Sequence, residues 1–278
     1  MAQIDELRRA YHTQVCAQVI FLKPNGVPGM ADVGSVISSK IAVKLLKHLP
    51  YPVSQQPLTG QTAGQKLEEI TKDFLERAFS DLQHLRPGRW RFSVHDSLAD
   101  FDQYRHLREL AELVKANPSL KTALGDYVIK PDIVVARYPI TDEEINCASA
   151  VVGDTLPQYT SLRARNNSSP LLHASISCKW TLRSDRAQNA RTEGLNLIRN
   201  RKGHTPHIAV VTGEPMPSRI ASLALGTGDI DCVYHFALHE LITAVSETGD
   251  EGAGEMLDTM IAGRRLRDIA DLPFDLVM

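Results

Sequence analysis

The chain has 278 residues, of which 43% are hydrophobic and 23% are charged, and its formal net charge is −2; these values are typical of a globular protein with one large or two small domains. No run of about eighteen apolar residues occurs, and the amphipathic N-terminus does not resemble a secretion signal, so neither a transmembrane helix nor a secretory leader is expected. The four cysteines lie far apart without a CxxC pair, which argues against a zinc cage or a disulfide framework and favours a reducing, cytoplasmic compartment.

The first half of the chain is predicted to be mainly helical. Apolar residues recur at helical spacing in four segments, and Pro or Gly marks the ends of several of them. The predicted helices cover 3–22, 36–48, 62–85 and 101–116. A loop rich in Gly and Pro, 23–35, separates the first two helices, and alternation predicts a short strand over 90–94.

The second half of the chain alternates strands with helices. The predicted strands cover 127–137, 171–180, 207–212 and 231–234. Helices are predicted from Ser184, from Pro217 and over 235–247, and the tail, 254–278, is predicted to be a helix followed by coil. This alternation predicts the α/β class, with a central sheet flanked by helices in a single domain over 1–278.

Charge is distributed unevenly along the chain despite the small net value. Residues 163–202 contain nine basic and two acidic residues, whereas residues 220–263 contain eight acidic residues and no Lys or Arg. A basic face on a nearly neutral protein is typical of an enzyme that binds DNA locally and releases it. The alternative is a solvated surface helix without a partner.

A lysine ends the central predicted strand, LLHASISCKW. A buried charge at such a place is costly unless the lysine meets an anion. Period-two alternation places Ser175, Ser177 and Lys179 on one face of the strand, where small residues leave room beside the lysine. We favour a phosphodiester as the anion. The alternative is a lysine whose head group simply extends from the strand end into water.

Two acidic residues are candidates to join this lysine. Asp132 follows Pro131 inside the predicted strand 127–137, where a proline indicates an edge or a bulge that turns the next side chain towards a cleft. Glu193 lies on the margin of the buried stripe of the helix that begins at Ser184, without a basic partner four residues on. The alternatives are a turn-capping aspartate and a solvated glutamate.

Two carboxylates and one lysine at strand ends suit metal-assisted hydrolysis of a phosphodiester. Mg²⁺ prefers oxygen ligands and retains bound waters, and a lysine can orient the attacking water or help to deprotonate it. The pattern alone is loose and occurs in many unrelated chains. A zinc hydrolase built on His235 and His239, which would share one helical face, is a competing hypothesis without an evident third ligand.

On these residues the sequence resembles type II restriction endonucleases of the PD-(D/E)XK superfamily, in the branch that reads CCGG. The similarity is densest over HASISCKWTLRSDRAQNARTEGLNLIRNRKG (173–203) and ALGTGDIDCVYHFAL (224–238), and it runs from about Gly60 to the C-terminus. The resemblance implies a restriction-endonuclease-like core, with catalytic and recognition residues over 60–240 and a variable N-terminal part over 1–50.

The resemblance also implies a catalytic set, which comprises Asp132, Ser177, Lys179, Glu193 and Glu68. In this branch the acid usually found two residues before the lysine is replaced, here by Ser177, and its role passes to Glu193 on the next helix. Asp132 and Glu193 would then hold Mg²⁺, with the Cys178 carbonyl as a further ligand. Glu68 matches the outer acid of the family.

A second set of residues is implied to read DNA: Arg183, Asp185, Arg186, Arg219, Asp32, Gln61 and Ser35. Arginine pairs with guanine O6 and N7, and aspartate accepts from cytosine N4. The arginines of the RSDR turn (183–186) would therefore read the guanines of CCGG, and its aspartate the cytosines. Arg219 and Asp32 would read an outer G·C pair, and Gln61 would contact the minor groove. The implied site is GCCGGC.

A palindromic site on double-stranded DNA requires a two-fold dimer, and the resemblance implies that two dimers form a homotetramer. No membrane partner and no small-molecule cofactor are expected, and the expected location is the bacterial cytoplasm. Two alternatives remain open. One is a repair or structure-specific nuclease on the same fold, against which the RSDR turn counts. The other is a non-catalytic DNA-binding regulator, against which the Asp, Lys and Glu set counts.

Overall fold

A mixed sheet of six strands lies at the centre of the computed structural model, which describes residues 2–32, 34–117, 119, 122, 130–226 and 228–278. The strands of this described part are β1 (Trp90–Ser93), β2 (Ile133–Arg137), β3 (Leu171–Lys179), β4 (His207–Thr212), β5 (Cys232–His235) and β6 (Leu266–Asp268). They neighbour one another in chain order. β2 pairs antiparallel with both β1 and β3, whereas β3 to β6 run parallel.

Helices cover the sheet. In chain order they are α1 (Gln3–Gln18), α2 (Val36–Lys47), α3 (Gly60–Leu82), α4 (Leu107–Ala116), α5 (Asp142–Ile145), α6 (Ser184–Asn200), α7 (Pro217–Ala224), α8 (Leu238–Thr248), α9 (Glu251–Ala262) and α10 (Leu272–Val277). Two 3₁₀ turns, Leu98–Asp100 and Asp102–Tyr104, precede α4, and one, Ile269–Asp271, precedes α10. The predicted α/β class, with a central mixed sheet flanked by helices, is confirmed.

The central strands are buried along almost their whole length because helices cover both faces of the sheet. Every residue of β3 before Lys179 is buried, and β4 is buried from Ile208 onwards. Buried apolar side chains from all of these helices except α5 form one continuous core with these strands. This continuity supports a single domain, which stays a prediction. None of the described helices is long and apolar enough to cross a membrane.

The strand predicted over 127–137 is wrong at its start. Residues 127–129 lie outside the described part of the chain, and β2 begins only at Ile133, so Asp132 precedes the strand instead of interrupting it. Pro131 cannot donate a ladder hydrogen bond, which explains why pairing starts after it. The strand is irregular further along, where its register with β3 shifts between Val135 and Ala136.

The tail and two helix starts also differ from the predictions. The predicted coil contains β6 and α10, because a strand of three residues is too short to give a periodic signal. α3 begins at Gly60 and is capped by Thr59, whose hydroxyl accepts the backbone N–H of Thr62. The helix predicted over 101–116 begins with a 3₁₀ turn and becomes regular only at Leu107.

The N-terminal helix is tied to the C-terminal part by a network of charges. The Arg8 guanidinium on α1 donates to both Glu240 on α8 and Asp268 at the end of β6, at distances of 2.7–2.8 Å. The Asp268 carboxylate is buried and also accepts the backbone N–H groups of Leu238 and Ala270. α1 is therefore held against the far edge of the sheet.

Candidate active site

The antiparallel pairing of β2 with β3 brings the predicted catalytic residues to one edge of the sheet. Asp132 lies directly before the first residue of β2, and Lys179 is the last residue of β3. Because Ile133 is paired with Ile176, the chain just before β2 lies beside the last residues of β3. Residues 47 positions apart in sequence are therefore neighbours in space.

The Asp132 carboxylate is fixed by three donors from β3. Its Oδ2 atom accepts from the Lys179 ammonium at 2.8 Å, from the Cys178 backbone N–H at 2.8 Å and from the Ser177 hydroxyl at 3.2 Å. Ser177 and Lys179 lie two residues apart on one face of β3, as the alternation predicted. Three donors on one oxygen fix the carboxylate's direction and leave Oδ1 without a hydrogen bond to these groups.

Glu193 reaches the same point from α6. Its Oε2 atom accepts from the Ser177 hydroxyl at 2.9 Å, and its Oε1 atom lies 3.7 Å from the Lys179 Nζ atom. A hydroxyl has one hydrogen to donate, so Ser177 serves either Asp132 or Glu193 at a given moment. The two carboxylates thus flank a single serine hydroxyl and share a single lysine.

Close packing of α6 against the sheet places Glu193 at this edge. Ala187, Ala190 and Leu197 form its buried stripe, as the helical spacing predicted. Gly194 lies so near the Asp229 carbonyl that a Cβ atom there would be 2.5 Å from the oxygen. Only glycine permits this approach without movement of the helix, and the helix carries Glu193 one residue away.

Negative charge is in excess at this edge. Burial raises the pKa of Glu193, and Asp132 adds to the effect, while Lys179 partly offsets it. Burial likewise raises the pKa of Glu68 to about 7, again with a contribution from Asp132. Burial opposes the Lys179 charge, but the two carboxylates outweigh it, and its pKa is raised. The single Lys179 ammonium therefore does not balance the charge of the neighbouring carboxylates, and a bound cation would reduce the repulsion between them.

Glu68 is the third predicted acid and lies on α3. It is half-buried and faces Asp132 and Lys179 electrostatically, whereas its neighbour Glu69 is exposed. None of the hydrogen bonds among Asp132, Ser177, Lys179 and Glu193 includes it. Glu68 therefore interacts with this group through charge rather than through these hydrogen bonds.

The donor set at this edge fits a hard divalent cation. Its atoms are carboxylate oxygens, a hydroxyl and backbone carbonyls, which are the ligands that Mg²⁺ prefers while it keeps several waters. Within the described residues no group of three or more His, Cys, Asp or Glu side chains is arranged to hold a metal. The set therefore suits a cation bound through two carboxylates and water, rather than one enclosed entirely by protein.

The competing hypothesis, in which His235 and His239 share one helical face and bind zinc, is wrong. His235 is the last residue of β5 and is completely buried, where its Nδ1 atom accepts the Ala237 backbone N–H at 3.1 Å. His239 is exposed on α8. The two lie on different elements and share no helical face, because the predicted helix over 235–247 begins only at Leu238.

Four of the predicted DNA-reading residues line one cleft next to the acidic group. They are Asp32, Arg183, Arg186 and Arg219, and Trp180, which follows Lys179, lies in the same wall. Arg219 forms an ion pair with Asp32, and Arg186 donates to the Thr181 hydroxyl at 3.0 Å. The cleft and the acidic group are thus joined through the end of β3.

The other three predicted readers lie around this cleft without lining it. Asp185 is exposed in the first turn of α6, and Gln61 is exposed at the start of α3. Ser35 caps α2, where its hydroxyl accepts the backbone N–H of Ser38 at 3.2 Å. The cap gives Ser35 a sufficient structural role of its own.

Two further residues were misjudged or missed at the level of sequence. Arg163, counted in the basic stretch, is buried and paired with Asp142, so it does not belong to a DNA-facing surface. Glu214 was missed, although it is completely buried beside the cleft. A glutamate directly after the apolar strand HIAVVT, in Gly213-Glu214-Pro215, was the available signal, since buried acids are rare.

Comparison with known proteins gives two matches. The profile of the family described as NgoMIV restriction enzyme matches residues 11–278. The type II restriction enzyme NgoMIV from Neisseria gonorrhoeae is 49% identical over 278 residues, which cover 98% of this chain and 97% of that protein. The similarity thus begins well before the Gly60 region, where the sequence resemblance was expected to start, and it includes the loop that carries Asp32 and Ser35.

Proposed function

Because the chain belongs to the family of the NgoMIV restriction enzyme, we propose that it cleaves double-stranded DNA at GCCGGC by Mg²⁺-dependent hydrolysis. Membership confirms the resemblance to restriction endonucleases and their fold, and makes the chain a type II restriction enzyme of a restriction–modification system. One observation carries the rest of the proposal. The Ser177 hydroxyl lies between the Asp132 and Glu193 carboxylates, with Lys179 at the same point and the arginine-lined cleft beside it.

Asp132 and Glu193 would hold the cation, with the Cys178 carbonyl as a further ligand and Glu68 as the outer acid. When bound, a divalent cation lowers the pKa of water and offsets the charge of the attacked phosphate. Lys179 is charged at neutral pH because its pKa is raised. Its ammonium therefore suits hydrogen-bond donation to the attacking water. The Ser177 hydroxyl lies between the two carboxylates and donates to either of them.

The cleft supports reading of the outer base pair. Arg219 and Asp32 form an ion pair and both line the cleft, so a cationic donor and an anionic acceptor lie next to each other there. A G·C pair offers the complementary pattern in the major groove, with guanine acceptors beside a cytosine donor. The inner CCGG would be read by the RSDR turn, as the resemblance implies. Gln61 would contact the minor groove, and Ser35 would support the loop that carries Asp32.

Two copies would bind a palindromic site around its two-fold axis, and two such dimers would form a homotetramer. The segment 146–170 supports this second contact. It joins the opposite ends of β2 and β3 from the candidate active site, is held by Arg163, and exposes Val151, Leu156 and Tyr159. These three side chains lie within nine residues of one another and provide apolar surface that a contact between dimers would cover. We place the enzyme in the bacterial cytoplasm, where its DNA substrate would be met.

Two plasmids that differ in one base pair test the proposed function. The first contains a single GCCGGC site, and the second carries a substitution in the outer G·C pair of that site. With Mg²⁺ only the first is expected to become linear, and chelation of the metal is expected to stop the reaction until Mg²⁺ is restored. A repair or structure-specific nuclease would cut both plasmids alike, and a non-catalytic regulator would cut neither.

A further inference from the structure

We propose that Glu214 is a positioning residue that holds the two DNA-reading segments in a fixed relation, so that the inner and outer base pairs are read as one unit. The inference rests on the proposed function, because it concerns how that function achieves specificity. Neither the resemblance nor the motif pattern assigns a role to Glu214. The role follows from what its carboxylate contacts.

The Glu214 carboxylate is shared between the starts of two helices. Its Oε2 atom accepts the Leu182 backbone N–H at 2.8 Å, directly before Arg183, the N-cap of α6. Its Oε1 atom accepts the backbone N–H of Met216 at 3.1 Å, the N-cap of α7. α7 carries Arg219 within its first turn. One side chain therefore accepts a backbone N–H at the start of the RSDR turn and another at the start of α7, the helix that carries Arg219.

Glu214 cannot move independently of the end of β3. Its own backbone N–H donates to the Thr212 hydroxyl at 3.2 Å, and the Gly213 backbone N–H donates to the Trp180 carbonyl at 3.1 Å. A Cβ atom at Gly213 would be 2.1 Å from the Trp180 ring. The segment that carries Glu214 is thus packed tightly beneath the residue that follows Lys179.

Arg219 is also within electrostatic reach of this carboxylate. Its Nη1 atom lies 3.9 Å from the Glu214 Oε2 atom, while its Nη2 atom bonds to Asp32. The Asp32 side chain would be needed at a base when DNA is bound. Glu214 would then remain behind the guanidinium and keep it directed into the cleft. A buried carboxylate is costly, and such a cost is borne where the acceptor cannot be replaced.

The anchor is expected to depend on pH. Burial raises the pKa of Glu214 to about 7, against the effect of the two backbone N–H groups and Arg219. Asp32 also raises this pKa. His235, at the end of β5, interacts with the Glu214 backbone, and burial lowers the pKa of its imidazole to about 4. A protonated carboxyl loses an acceptor site. Glu214 is therefore ionised and can accept on both oxygens above about pH 7, and it loses one acceptor site as the pH falls below that value.

Glu214→Gln tests this role, because the amide keeps the size of the side chain but can accept on only one of its two terminal atoms. The matched control is Asp268→Asn. Asp268 is also buried and accepts the first backbone N–H of α8, but it lies at the other edge of the sheet. Cleavage rates are measured with Mg²⁺ on three DNA duplexes: GCCGGC, one with an altered outer pair and one with an altered inner pair.

For Glu214→Gln we expect discrimination against both altered duplexes to fall by about tenfold or more, the order of one good base contact. Asp268→Asn should retain the discrimination of the unaltered protein. Discrimination is the ratio of the cleavage rate on GCCGGC to the rate on each altered duplex. In the unaltered protein both ratios should fall together between pH 8.5 and pH 6. In Glu214→Gln both ratios should be low at either pH, since the carboxyl group whose pKa is raised to about 7 is absent.

Three results would overturn the anchor role. They are a Glu214→Gln variant that retains discrimination against both altered duplexes, one that loses only discrimination against the altered outer pair, and one that loses no more discrimination than Asp268→Asn does. If Glu214→Gln fails to fold, the pH dependence of the unaltered protein decides, and ratios that are constant from pH 8.5 to pH 6 contradict the proposal. Failure of the proposed function looks different, because the unaltered protein would then cut all three duplexes alike at pH 8.5.

Discussion

Asp132→Ala is expected to lower the rate of DNA cleavage by about a thousandfold or more, because a carboxylate that holds a catalytic metal supports several kcal/mol of transition-state stabilisation. The same substitution frees the Lys179 ammonium, the Cys178 backbone N–H and the Ser177 hydroxyl from their shared acceptor. These three donors are not among the residues that line the cleft. Specific binding to a GCCGGC duplex should therefore persist, and in the absence of metal it should be close to that of the unaltered protein.

Single-turnover cleavage and a binding titration on the same duplex measure these two effects separately. Glu69→Ala is the matched control, since Glu69 is an exposed acid on α3 next to half-buried Glu68. The control should cleave normally. If Asp132→Ala still cleaves at a comparable rate, the metal site is elsewhere. If it loses specific binding as strongly as cleavage, Asp132 acts on the fold rather than on the chemistry.

Arg186→Ala is expected to reduce discrimination in favour of CCGG by about 1–3 kcal/mol, the value of one good bidentate contact to a base. Arg186 lines the cleft, and its Nη1 atom is held by the Thr181 hydroxyl, so the guanidinium is oriented before DNA arrives. Such preorganisation places the energetic loss on sequence discrimination rather than on general affinity. Competition between a GCCGGC duplex and one with an altered inner base pair measures it.

Arg199→Ala is the matched control for this prediction. Arg199 is exposed near the end of the same helix, α6, and is not among the residues that line the cleft. Its loss should weaken binding to all sequences equally, if it changes binding at all. An equal loss on all sequences for Arg186→Ala would instead identify that arginine as a phosphate contact, and the reading role would pass to other side chains of the RSDR turn.

The central part of the candidate site could be predicted from sequence because its residues are chemically conspicuous. A lysine at the end of an apolar strand, an acid after a proline and an acid on the margin of a helix each conflict with simple burial. The family resemblance then joined them. What the sequence could not provide was the geometry, since only the antiparallel pairing of β2 with β3 shows that Asp132 meets Ser177 and Lys179.

The errors have physical causes of the same kind. The sixth strand was missed because three residues cannot display a period, and because its pairing partner, β5, is distant in sequence. Arg163 was counted as a surface charge because its partner Asp142 lies 21 residues away. The two histidines were placed on one helix because a strand that runs directly into a helix leaves no sequence boundary. Glu214 was missed because its two acceptor roles depend entirely on tertiary contacts.

The central claim is that the acidic group beside Lys179 and the arginine-lined cleft act together as a site-specific nuclease. Sequencing the ends of all fragments after digestion of a complete bacterial genome with Mg²⁺ tests it most directly. We expect every double-strand end to lie within a GCCGGC sequence, at one fixed position in each strand, and we expect Asp132→Ala to produce none of these ends. Ends scattered over unrelated sequences, or fixed ends that persist in Asp132→Ala, would contradict the account.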